Sequence, residues 1–488
     1  MNTPFPLRAT VTAIALVTAA LLSASMAHAA DTATAADETA ATRTEWPNER
    51  IGPRVQNPEP SVPAGDTRPL AGAGRWLNDH GITPHLGLTY MAYGNPSTGL
   101  YTGKSEALAL FSAGADFDLS KIAGIPGGTL HFEQLYVPYT HNLSYGQQVG
   151  GVLAGDIGPY IPGVSHLTLF TYEQKLLDNR LSLEAGKSNA GNYFALPLCN
   201  VPVTCVNSLL QKTAGFNPPP YANWSARASY DFTPALRAQV GAWRSDASFP
   251  FTNGWERRGV GTLSTSYLGN VVYRTDASMD RYPRTYEALL FYNNGTQTNP
   301  YYTTAGTSQL VDTVSAARTS EGAGGFYLGA KQTFWRADGG SSDNPSPTTL
   351  AAWASLTHTF NPDATAGIAT MGRTGLILSA PWRSRPFDSY GLSLGWSQLT
   401  RAKQRLLIDS QEEAGGSTYG ISRNEYSLTL DANFVLDRGV ILSPYAMRVW
   451  NASSYANAST GSLPRDGWAV GLLLHVQLED WLGLSGSH

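Results

Sequence analysis

Residues 390–399 read YGLSLGWSQL, and their core, GLSLG at 391–395, matches G-x-S-x-G, the turn that presents a nucleophilic serine in many hydrolases. Such an elbow needs a strand entering, a strained turn at the serine and a helix leaving. Here Leu392, Leu394 and Trp396 fall on one side of an extended chain, and Gly391, Ser393, Gly395 and Ser397 on the other. A strict period of two predicts a strand running straight through Ser393, with the serine on its polar face. The overlapping WSQLTRAKQRLL (396–407) has helical spacing, so a barrel-embedded hydrolase using Ser393 stands as the competing reading. No residue is expected to be catalytic.

The same alternation returns along the chain. NWSARASYDF (223–232) sets Trp224, Ala226, Ala228, Tyr230 and Phe232 against Ser225, Arg227, Ser229 and Asp231. RLSLEAG (180–186), NEYSLTLDANF (424–434) and GWAVGLLLHVQLE (467–479) divide in the same way. The apolar faces often end in an aromatic residue, among them Trp224, Phe232, Trp396, Tyr426, Phe434 and Trp468. Rings at both ends of apolar strand faces suit two membrane interfaces.

Composition agrees. Charged residues are 14% of the chain, against about 25% in soluble proteins. Mean hydropathy is only −0.20, and no run of about eighteen apolar residues offers a helical span. Short turns are expected at 177–180, 232–235, 361–364 and 436–439, and long joins at 138–165, 188–222, 371–389 and 450–466. The expected fold is therefore all-β: a transmembrane antiparallel β-barrel of about sixteen strands between Pro84 and Leu478, with short periplasmic turns and long extracellular loops. The stretch 245–335 does not divide cleanly into strands. A soluble periplasmic glycan-binding β-protein would also alternate and is the second competitor.

The N-terminus directs export. Arg8, the apolar run Val11 to Leu22 and the small-residue step Ala27-His28-Ala29 read as a signal peptide over 1–29. Residues 30–69, rich in Ala, Thr and Pro, read as a flexible tail, leaving 70–488 for the barrel. The two cysteines of an exported chain, Cys199 and Cys205, are expected to form a disulfide within a long loop. GLYTGKS (99–105) has three residues between its glycines where a phosphate-binding loop needs four. The nine histidines show no metal-ligand spacing, so neither metal nor cofactor is expected.

Four phrases together resemble the carbohydrate-selective porins of bacterial outer membranes, the OprB type. They are FDLSKIAGIPGGTLHFEQ (117–134), RLSLEAGKSNAGNYFALPLCNVPVTC (180–205), RPFDSYGLSLGWSQL (385–399) and NEYSLTLDANFVLDRGVILSPYAMRVWN (424–451). The resemblance implies an outer-membrane channel of a Gram-negative bacterium through which monosaccharides such as glucose diffuse passively into the periplasm. Its implied partners are sugars and outer-membrane lipid, not nucleic acid, and it leaves homotrimer or monomer open. One departure is the ending LEDWLGLSGSH, where such barrels commonly end on Phe or Tyr.

A pore for a neutral polyol needs fixed hydrogen-bonding groups in its lumen. Strand parity nominates His131, Glu133, Glu184, Arg227, Asp231, Lys331, Glu425 and Arg448 as inward residues. Lys187 and Asn189 join them through the family-like GKSN step at the mouth of a long loop. Long loops that fold inward are expected to narrow the pore.

Overall fold

Lipid offers no partner for a backbone N–H or C=O, so a sheet in a membrane must close. The computed structural model describes residues 68–485 other than 159, 217–220, 247–251, 257–262, 341–346 and 418–420. The expected signal peptide and nearly all of the 30–69 tail lie outside the described residues. Sixteen strands pair only with their chain neighbours, and the first pairs with the last. The first half comprises β1 (Ile82–Asn95), β2 (Lys104–Asp118), β3 (Gly128–Thr140), β4 (Ser165–Leu176), β5 (Leu181–Ser188), β6 (Asn223–Thr233), β7 (Leu236–Asp246) and β8 (Leu263–Arg274). The second comprises β9 (Arg284–Thr303), β10 (Ala317–Arg336), β11 (Thr349–Thr359), β12 (Ile368–Ser379), β13 (Ser389–Leu399), β14 (Asn424–Asp437), β15 (Val440–Trp450) and β16 (Gly467–Gln477). Every pairing is antiparallel, and the seam runs from Gly87 opposite Gln477 to Gly94 opposite Val470.

Ser393 sits in mid-strand, opposite Gly375 on β12 and Thr429 on β14. A helix, Arg401–Glu413, does follow, but it starts only after β13 has ended at Leu399, and Thr400 caps it by accepting from Lys403 N–H. The geometry at Ser393 is that of a strand, not an elbow.

Outward positions carry apolar side chains, as on β13, where Leu392 and Leu394 are exposed. Trp224, Tyr267, Trp450 and Trp468 stand exposed near one rim, and Phe232, Tyr273, Phe334 and Trp382 near the other. These are the two girdles a membrane barrel requires.

Connections separate by rim. On one side β4 turns into β5 through Leu177, Asp178 and Asn179, all with positive φ, and β14 turns into β15 through Gly439 at φ +69°. The opposite rim carries the segments 141–164, 189–222, 400–423 and 451–466. Two turn expectations are corrected. The 361–364 turn lies on the long-loop rim, and 371–389 is β12 plus a turn on the short-turn rim. β12 conceals itself because its inward face carries apolar Met371 and Ile377, both buried, which erases the polarity of its alternation. The 245–335 stretch, which does not divide cleanly in sequence, spans β8, β9 and all but the last residue of β10, the latter two each twenty residues long. The inward face of β9 mixes polar Glu287 and Asn293 with apolar Leu289 and Phe291, so polarity does not follow the alternation of its burial.

At the short-turn rim the segments flanking β1 and β16 meet. The helix Ala71–Asp79 lies against Leu478–Leu482, with Leu70 N–H donating to Leu482 O at 3.0 Å. Gly74 is required there, since a Cβ would come within 2.4 Å of Gly483 O. Glu479 accepts from Leu86 N–H at 2.9 Å and fastens this corner to β1. The last strand thus ends at Gln477 and is followed directly by the short helix Leu478–Leu482.

Leu472, outward on β16, tests the membrane band. Leu472→Lys should cost about 2–4 kcal/mol of barrel stability in bilayers, read as a lower urea midpoint for loss of the heat-modifiable gel form. An unchanged midpoint would place that face out of lipid.

Candidate functional site

The candidate site is the lumen. Across β1 to β9 its wall carries a lateral ladder of polar side chains, one strand handing to the next. His85 Nε2 lies 3.0 Å from Asp116 Oδ2, and Asp116 Oδ1 lies 2.7 Å from His131 Nδ1. His131 Nε2 is 3.4 Å from Glu173, which accepts from Ser182 at 2.5 Å. Glu184 accepts from Thr171 at 2.7 Å, from Tyr193 at 2.6 Å and from Arg227 Nη2 at 2.6 Å. Arg227 lies over the Tyr193 ring, 4.3 Å from its centre, and also donates to Gln239 at 3.2 Å. Glu287 accepts from Asn270 at 2.5 Å. Strand parity creates this ladder, because its strand members occupy inward positions that are either direct register partners, as Asp116 and His131, Glu184 and Arg227, and Gln239 and Asn270 are, or diagonal neighbours, as His131 and Glu173 are.

Two loops fold into the long-loop half of the lumen. From 141–164 come Tyr145, Val149, Val152, Leu153, Ile157 and Ile161, and from 189–222 come Phe194, Val201, Leu209, Leu210 and Phe216, all buried. They pack on inward wall residues, Trp243, Leu289, Phe291, Tyr327 and Met371 on one arc and Tyr93, Leu108, Leu135, Tyr445 and Met447 on the other. Removing these side chains from water stabilises the inward position of the loops, by about 25 cal/mol per Å² of apolar surface buried.

Polar wall groups then fix where the loops sit. Glu425 accepts from Leu153 N–H at 2.7 Å, Val152 N–H at 3.1 Å and Ser453 Oγ at 2.9 Å. Glu287 accepts from Ala195 N–H at 2.9 Å, and Gln239 donates to Tyr193 O at 2.6 Å. Asp431 accepts from Asn200 Nδ2 at 2.8 Å. Arg373 donates to Thr204 O at 2.5 Å and Val206 O at 3.2 Å. The loops are joined to each other by Lys212 and Asp156, 3.1 Å apart. Cys199 and Cys205 are disulfide-bonded within the second loop, against Trp353 and Ile377.

The ten nominated residues separate into groups. His131, Glu184 and Arg227 belong to the ladder. Glu133 is inward beside a β-bulge, accepting from Thr168 at 3.3 Å. Asp231 is paired with Arg237 near the short-turn rim. Lys331 is inward on β10, in register with Trp353. Glu425 holds a loop. Asn189 caps the start of the 189–222 loop by accepting from Gly191 N–H and ties it to the loop's end by donating to Tyr221 O, each at 2.8 Å.

Two placements are corrections. Arg448 faces outward on β15, opposite exposed Trp468 and 5.8 Å from the Trp450 ring centre. The inward face of that strand is Ile441, Ser443, Tyr445, Met447 and Val449, apolar towards the mouth, where Tyr445, Met447 and Val449 pack against loop residues. A long guanidinium side chain beside rim aromatics reaches the headgroup layer while its stem stays in the apolar band. Lys187 is buried but shares the register of outward Phe170 and Trp224, with its ammonium 5.6 Å from the Trp224 ring centre. Alternation from Glu184 makes position 187 outward, and the GKSN resemblance had overridden that count.

Parity reasoning omitted Asp116, Gln239, Glu287, Arg373 and Asp431. Asp116 and Asp431 carried a signal, since both lie on alternating stretches. Glu287 was hidden in the 245–335 stretch and Arg373 in β12.

At the mouth, Lys212 and Lys403 approach one ring, Tyr455, at 5.2 and 4.7 Å from its centre. Burial first, then the Lys212 ammonium, pull Lys403 on the Arg401–Glu413 helix down to about 8.

A model of the carbohydrate-selective porin OprB family matches residues 105–477. Porin B of Pseudomonas aeruginosa is 25% identical over 329 residues, 64% of this chain and 68% of that protein. The high-pH structure of Pseudomonas putida OprB superposes with a TM-score of 0.71 at 19% identity, covering 82% of this chain and 95% of that one. Its low-pH structure matches with a TM-score of 0.50 at 16% identity, over 86% and 99%.

Because Lys403 loses its proton at a lower pH than an ordinary lysine, positive charge at the mouth should fall as pH rises from 7 to 9. The zero-current potential in a KCl gradient should move towards cation preference over that range, and Lys403→Arg should remove most of the movement. An equal movement in the Arg variant would assign it to another group. The matched span, the sixteen-strand closed sheet and the girdled exterior together establish that this chain belongs to the OprB family of carbohydrate-selective porins and resides in the outer membrane of a Gram-negative bacterium.

Proposed function

We propose that the protein is a passive channel for monosaccharides of the glucose type, entering from the long-loop side. The observation that carries this reading is the pairing of charges around the narrowed lumen, with the Arg227–Glu184 contact at 2.6 Å at its centre. Paired charges hold donors and acceptors in fixed places while largely cancelling one another's field. Such a wall offers an ion little net attraction, while its partly exposed members, His85 and Asp116 among them, offer a hydroxylated solute bonds to exchange for those it made with water. Binding has to stay weak, near millimolar or about −4 kcal/mol, or release would limit flux. Two loops packed against the wall reduce the cross-section of a barrel whose strand number would otherwise leave a wide aqueous channel.

A passive channel needs no nucleophile. Ser393→Ala should leave glucose permeation unchanged, whereas a serine hydrolase would lose its activity by orders of magnitude.

The test is current through the purified protein in planar bilayers, with glucose added on the long-loop side. Glucose should reduce the open-channel current in a saturable manner. Arg227→Ala removes the cation of the central pair, so it should weaken glucose block and shift the zero-current potential towards cations. Arg448→Ala, on the outer surface, should alter neither. Block by glucose no greater than by an equally viscous solute that cannot enter the pore would overturn the proposal.

A further inference from the structure

Arg373 and the Cys199–Cys205 disulfide lie on opposite sides of one contact, and neither belongs to the polar ladder. Arg373 projects inward from the centre of β12 and is 6% exposed. Its two terminal nitrogens donate to Thr204 O and Val206 O, the carbonyls on either side of Cys205. A guanidinium is a planar fork, so two converging carbonyls satisfy it only if the backbone between them is held in a bend. Two features of the loop hold that bend. The disulfide joins Cys205 to Cys199, and Thr204 Oγ1 donates to Val201 O at 2.8 Å, closing a 3₁₀ turn over Pro202–Cys205.

The neighbouring wall has the opposite polarity. Glu425, two strands away on β14, accepts amide hydrogens from the other loop, at Val152 and Leu153. Leu153 reaches back towards Arg373, because a Cβ placed on Gly395, between them on β13, would lie 3.6 Å from Arg373 Nη1 and 3.7 Å from Leu153 Cδ1. A wall cation therefore holds carbonyls of one loop, and a wall anion holds amides of the other, at adjacent places on β12–β14.

We propose that Arg373 is the positioning residue of the constriction and that it acts as one clamp with the Cys199–Cys205 disulfide, which presents the two carbonyls it grips. Arg373 need not touch sugar. Its role is to keep the 189–222 loop pressed against β11–β13, and so to set the size of solute that passes. This deepens the proposed function and rests on the channel reading.

The experiment is swelling of proteoliposomes in a series of uncharged sugars, from a pentose through glucose to a trisaccharide. It compares the wild type, Arg373→Ala, Arg373→Lys, the double variant Cys199→Ser/Cys205→Ser, and the triple combination. Heat-modifiable migration on gels confirms that each barrel has folded. The wild type should pass monosaccharides at least tenfold faster than the trisaccharide. Arg373→Ala should reduce that ratio to about threefold or less by admitting the larger solute, and Arg373→Lys, which keeps the charge but loses the fork, should fall between. The double serine variant should shift the ratio in the same direction. The triple variant should go no further than the larger of its parents, because removing either half of one clamp releases the other. Shifts that multiply in the triple variant would show two independent supports and overturn the single clamp. A folded Arg373→Ala barrel with the wild-type ratio would overturn the positioning role. A wild type that passes no sugar at all would instead defeat the channel reading, so the two failures are distinguishable. If Arg373→Ala does not fold, Arg373→Lys and the serine variants still decide between these outcomes.

Discussion

Closure of the sheet between β1 and β16 is the constraint on which the rest of the molecule depends. In lipid an open edge would leave a row of unpaired amides and carbonyls, each costing several kcal/mol. Closure forces every strand to present one face to lipid and the other to the lumen. The outward face is answered by leucine, valine and rim aromatics. The inward face is where chemistry can be placed, and its register across sixteen strands decides which side chains meet.

The inward face serves two purposes. Over β1–β9 it carries a ladder of histidine, carboxylate and guanidinium groups that satisfy one another, with buried members such as Glu184 and Arg227 meeting at 2.6 Å. Such a pair is weak evidence of stability, because desolvation offsets much of its attraction. It is better understood as fixing geometry. Nearer the mouth the wall turns apolar, and two loops settle onto it as a core inside the barrel. Glu425, Glu287, Asp431 and Arg373 meet loop backbone and side-chain groups that would otherwise be buried without partners.

Much of the fold was legible in the sequence because outward and inward faces differ in polarity wherever the lumen is wet. β5, β6, β13, β14 and β16 were readable for that reason. Legibility failed where the loops cover the wall. On β15 both faces are largely apolar, so parity has no polar face to register on, and Arg448, expected inward, points outward while Met447 and Val449 face the loops. β12 lost its signal in the same way through Met371 and Ile377. The candidate site was legible in composition but not in purpose. Glu425 was recognised as inward, yet no local pattern indicates that its partners are amides about 270 residues earlier in the chain.

The described residues of the 141–164 and 189–222 loops are part of the barrel's interior and not a mobile cover. Amide hydrogen exchange of the intact protein in detergent or nanodiscs tests this most directly. The amides of Val152 and Leu153, held by Glu425, and of Ala195, held by Glu287, should exchange on the slow timescale of the flanking β14 and β9 amides. Exchange of these three within seconds, as in an exposed loop, while the strands stay protected, would contradict the account.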